Sequence, residues 1–130
     1  MNPAIASFLR LAHDDLSATK LLLKDHATIA AYHIEQAAEK LIKAVLTREN
    51  IRARTRHHRL TELVALLPRD HRWRIEVEKL TWLEAAAMRF RCPEADGFVA
   101  DLPDPTDYAN AIMEIEALYP AIEAWCQTKG

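Results

Sequence analysis

Glycine occurs only twice in this 130-residue chain, at Gly97 and at the final position. Tight hairpin turns depend on glycine or Asn-Gly pairs, so a sheet built on short reversals is out of reach. Alanine, leucine and glutamate, all strong helix formers, are abundant instead. Half of the residues (50%) are apolar, which favours a packed core over disorder. The length suits one domain, residues 1–130. The chain is therefore read as all-α.

Apolar periodicity supplies the helices. The first is predicted from about Pro3 to Asp25, with Pro3 in the first turn and Ile5, Phe8, Ala12, Leu16, Thr19 and Leu22 on one face. The second is predicted from about Thr28 to Asn50, with Ile34, Ala37, Ala38, Leu41 and Val45 as its stripe. "LTELVALLP" reads as a short helix stopped by Pro68. "RDHRWRIEVEKLTWLEAAAMRF" reads as one longer helix carrying Trp73, Val77, Leu80 and Leu83, closed before Pro93. A loop, "PEADGFVADLPDP", follows. Asp104-Pro105-Thr106-Asp107 has the pattern of a helix start, and Pro120 should kink the helix that follows. The expected architecture is an antiparallel up-and-down bundle of four long helices plus one short helix.

Charge is unevenly divided. The balance is +5 up to Cys92 and −7 from Pro93 onward, for a net charge of −2. That argues against a duplex-DNA binder and is compatible with a local basic face or with self-association, basic half to acidic half. Cys92 and Cys126 form no zinc spacing. No signal-peptide pattern or membrane-length apolar run is present, so a reduced, cytoplasmic protein without membrane contact is expected.

Two stretches hold candidate chemistry. "NIRARTRHHRL" concentrates Arg52, Arg54, Arg56, Arg59, His57 and His58 without an acid. It reads as a solvated loop or as a phosphate-facing rim. On the second helix, His33, Gln36, Lys40 and Lys43 fall within about 80° of one another on the helical wheel. Glu39 and Lys43 form an i,i+4 pair there. The plain reading of that stripe is a solvated face. No metal-ligand spacing, glycine-rich phosphate loop or cofactor motif occurs. Trp73, Trp82 and Trp125 are read as core or interface residues rather than base-stacking platforms.

"YHIEQAAEKLIKAVL", "RHHRLTELV" and "MRFRCP" together resemble the HEPN domain family of small prokaryotic helical proteins. The pattern falls on Asp15 and Ala18, on Gln36 to Lys40 with Lys43 and Ala44, on His58, Leu60 and Leu63, and on Arg91-Cys92-Pro93. The resemblance implies a helical bundle, often a homodimer, that binds a nucleotide or RNA. It also implies a pairing with a minimal nucleotidyltransferase as toxin and antitoxin. The candidate ligand-binding surface combines Gln36, Lys40, Lys43, His58 and Arg91 of that pattern with Arg52, Arg54 and Arg56 of the basic segment.

Some family members are metal-independent ribonucleases with an Arg-x(4–6)-His motif, in which histidine would act as acid/base and arginine would hold phosphate. Arg52 with His57 or His58 matches the spacing, but the family carries the motif near the last long helix. This chain has no histidine after His71 and no arginine after Arg91. The reading therefore leans against an enzyme, leaving His58 and Arg91 as the weak catalytic candidates. The alternatives kept open are a ribonuclease toxin and a purely structural dimerisation protein.

Overall fold

The computed structural model describes residues 1–53, 59–91, 93–98 and 104–128. Among these residues the secondary structure is entirely helical: α1 (Pro3–Leu22), α2 (Ala27–Arg48), α3 (Leu60–Ala65), α4 (Arg74–Glu78), α5 (Trp82–Arg91) and α6 (Pro105–Gln127). The all-α class expected from the sequence is observed.

Local chemistry sets the helix ends. The Asn2 side chain accepts the Ala4 N–H at 2.7 Å and Pro3 occupies the first turn, where its missing N–H costs nothing. Asp104 caps α6 in the same way, accepting the Thr106 N–H at 2.8 Å. At the end of α2, Asn50 takes a left-handed φ of 58°. Its N–H bonds the Thr47 carbonyl, and the Ile51 N–H reaches back to the Leu46 carbonyl. This is a Schellman closure with asparagine in the glycine position, and the half-buried Ile51 side chain packs against the core behind it. α6 continues through Pro120 as one helix.

The third leg departs from the expected single helix. It divides into α4 and α5 because the chain tightens between Val77 and Glu84. Leu80, Thr81, Leu83 and Glu84 donate N–H bonds to the residue three positions back, and the Thr81 hydroxyl also bonds the Glu78 carbonyl at 2.8 Å. The apolar spacing explains it. Val77, Leu80 and Leu83 recur every three residues and all are buried, which suits a 3₁₀-like path better than an α-helix.

α2 is the central element, with twelve of its 22 residues buried. α1 packs along it most extensively, and α3, α5 and α6 close around it. Lys20 meets Glu116, and the Tyr119 hydroxyl donates to the Leu9 carbonyl at 2.9 Å, so α1 and α6 run antiparallel. Arg48 reaches Thr128, which brings the C-terminal ends of α2 and α6 together and makes those two parallel. That is the order of an up-and-down bundle. Fully buried alanines at 31, 37, 38 and 44 let the neighbouring helices approach α2 closely.

Tyr108 is 2% exposed, meets Trp82 edge-on at 5.4 Å between centroids, and its hydroxyl has no hydrogen-bond partner among the described residues. Burial, with a smaller push from Asp107, raises its pKa to about 12. A raised folded-state value means that the native phenol keeps a proton the unfolded chain releases. Stability is then undiminished below about pH 10 and declines as pH climbs toward about 12. Tyr108→Phe should leave stability at neutral pH unchanged or raise it by about 1 kcal/mol, since an unmatched buried hydroxyl is removed. It should also flatten the alkaline decline. Denaturant unfolding at pH 7 and above pH 10 checks both; a clear loss at pH 7 would mean the hydroxyl is satisfied after all.

Candidate functional site

The polar stripe of α2 is not a solvated face. Asp15 projects from α1 toward it, with its side chain 13% exposed, and receives two partners. His33 Nδ1 lies 2.9 Å from one carboxylate oxygen, and Lys40 Nζ bonds the other. The lysine and histidine stand about two helical turns apart on α2, and the aspartate spans the gap between them. A carboxylate only accepts, so Nδ1 carries the proton and the Nε2 of His33 is directed away from Asp15. The Tyr32 ring meets the His33 imidazole edge-on at 5.3 Å. Below this contact, the Thr19 hydroxyl donates to the Asp15 backbone carbonyl at 2.8 Å.

The remaining polar residues of the stripe are also engaged. Gln36 donates to Glu35 at 2.9 Å, and Lys43 Nζ lies 3.6 Å from Glu39. Both of those glutamates are more than nine-tenths buried. Lys40 and Lys43 therefore already face carboxylates. Burial of two opposed charges is tolerated only when each finds its partner, and here the pairing fastens α1 to α2.

Of the other expected ligand positions, Arg52 is exposed. Arg54, Arg56 and His58 lie outside the described residues. Arg91 is the last residue of α5, and its side chain lies outside the description. Leu60 and Leu63, which follow His58 in the motif, are fully buried and root α3 in the core. Among the described residues, no three His, Cys, Asp or Glu side chains gather in a way that could hold a metal ion. None of the helices among the described residues is long and apolar enough to cross a membrane.

A second cluster, not anticipated from the sequence, closes the end of the bundle where α2 and α6 finish. His71 Nδ1 accepts the Trp73 backbone N–H at 3.2 Å, and its Nε2 faces Glu49 at 3.8 Å. The His71 and Trp73 rings meet Trp125 edge-on at 5.6 and 6.0 Å. The Arg48 guanidinium lies 5.0 Å above Trp125 and donates to the Thr128 carbonyl at 3.2 Å. Cys126 is a buried free thiol whose pKa is pushed up by burial, with Arg48 opposing. Such a thiol is a packing group rather than a nucleophile. No local motif signals this cluster, because its members are spread over residues 48 to 128.

The fold and the Asp15-centred cluster define a class: an all-α bundle whose first two helices are joined by a part-buried charge network. The HEPN domain model matches residues 5–125, and the chain belongs to the HEPN family. No curated protein and no solved structure matches the chain.

Proposed function

We propose that the chain is a non-catalytic HEPN binding module, working as a homodimer that engages a phosphate-bearing ligand, nucleotide or RNA. The same module would serve as one half of a toxin–antitoxin pair with a minimal nucleotidyltransferase. One observation carries the reading. The chemistry-bearing residues of α2 are committed to each other and to α1 through Asp15 and Glu39, whereas Arg52 is exposed at the start of the arginine-rich 52–59 segment. Phosphate attraction then falls to that segment, with Lys40 in a supporting role inside the fold.

Short single-stranded RNA labelled for fluorescence anisotropy tests this. Binding should be measurable at low salt and weaken steeply as salt rises. Arg52→Ala should lower the slope of log affinity against log salt by about one, as for a single lost phosphate contact. RNA that fails to bind at low salt removes the ligand half of the proposal. Co-purification with a co-expressed nucleotidyltransferase addresses the other half.

The Asp15–His33 pair favours one alternative, because a carboxylate that fixes an imidazole tautomer is also how a general base is oriented. A ribonuclease reading therefore predicts RNA cleavage in EDTA that is abolished by His33→Ala. Intact RNA with both proteins rejects that alternative.

A further inference from the structure

α6 buries one side against α1 and α2 and leaves a groove between itself and the α4–α5 leg. One part, of about 540 Å³, lies over Trp73, Leu80 and Leu118, and Ala117 and Ala121 also line it. A second part, of about 330 Å³, lies beside Trp82, Asp107 and Asn110, and Glu114 borders both. The floor is apolar and the walls differ in charge. On the α4 wall, Lys79 is paired with Glu76 at 3.4 Å, so Arg72 is the charge left uncompensated. Its guanidinium is held at the rim, 4.6 Å above the Trp73 ring. On the α6 wall, Glu114 and Asp107 have no ion pair among the described residues.

Several features show that this face is built to be covered. Ile75 and Met113, on the two flanking helices, are 68% and 66% exposed, and Trp82 is 39% exposed. The alanines of α6 leave room for another helix to approach at close range.

We propose that this groove is the face on which two copies of the chain pair. The inference rests on the homodimer named above and specifies its surface. An isologous contact requires one patch to be complementary to itself. A two-fold axis through the groove floor would lay the α6 wall of each copy against the α4 wall of the other, matching Arg72 with Glu114 twice. A partner rich in one charge would satisfy one wall and oppose the other. The division of the whole chain, +5 to Cys92 and −7 beyond it, follows the same line, because α4 belongs to the first part and α6 to the second. An arginine already stacked on tryptophan also loses little freedom when it pairs.

Light scattering and sedimentation velocity across the micromolar range, at low salt, test the proposal. The wild type should be a dimer. Glu114→Arg and Arg72→Glu should each weaken it at least tenfold or give monomers, through like-charge opposition. The double variant should restore the dimer. Both positions are exposed, and circular dichroism confirms that each variant stays folded. A dimer indifferent to both reversals overturns this face while leaving the homodimer intact. So does a dimer broken by each reversal and not rescued by their combination. A wild type that is monomeric throughout overturns the face and the homodimer together.

Discussion

Asp15→Ala is expected to destabilise the bundle by about 3 kcal/mol, since removing one partner strands the other's charge in a part-buried site. The side chains of Lys40 and His33 are 22% and 29% exposed, so most of the surface of each stays out of water when its partner is removed. The size of the loss depends on this one-sidedness. Lys40→Met in the Asp15→Ala background removes both charges, and that double variant should recover a large share of the loss. A double-mutant cycle read by urea unfolding measures the coupling directly. A cost below about 1 kcal/mol for Asp15→Ala would place the pair in the class of exposed ion pairs and remove its structural role.

Leu41→Ala should cost about 3–4 kcal/mol, within the usual range for a buried leucine truncation. Leu41 is fully buried on α2, between Lys40 and Ile42, in the helix that the other elements surround. A cavity there lies inside the main core cluster and has little room to collapse, because positions 37, 38 and 44 on the same helix are already alanine. Leu21 is the internal control. It is 82% exposed on α1, and Leu21→Ala should change stability by less than about 0.5 kcal/mol. Equal effects at the two positions would contradict the central placement of α2.

The sequence carried the long helices well, because their signals are local. Pro3 and Asp104 mark starts that the structure uses, and the alanines and Leu41 of α2 fall on the buried side they predict. Three features were not legible. The third leg reads as one helix because its residues have ordinary helical propensity. Its division comes from a three-residue spacing of core leucines and valine, which depends on where α2 lies. The α2 stripe reads as a solvated face because periodicity shows which residues share a side but not what stands opposite. Asp15 belongs to another helix, and only the packing of α1 on α2 reveals that His33 and Lys40 meet it. Likewise, His71 and Trp125 are brought together by the last helix, and nothing in their spacing announces it.

The hydrogen bond from Arg48 to the Thr128 carbonyl joins residues 80 apart, and the contact of Tyr119 with Leu9 joins residues 110 apart. By contrast, α1 and α2 meet through a short connection, and Asp15 and His33 are separated by only 18 residues. Loop closure of such different lengths imposes an order on assembly. The α1–α2 hairpin, with its charge network, is the part that can form early from local encounters. The docking of α6 needs contacts across nearly the whole chain, so the acidic helix is expected to close last, as the stave that completes the bundle.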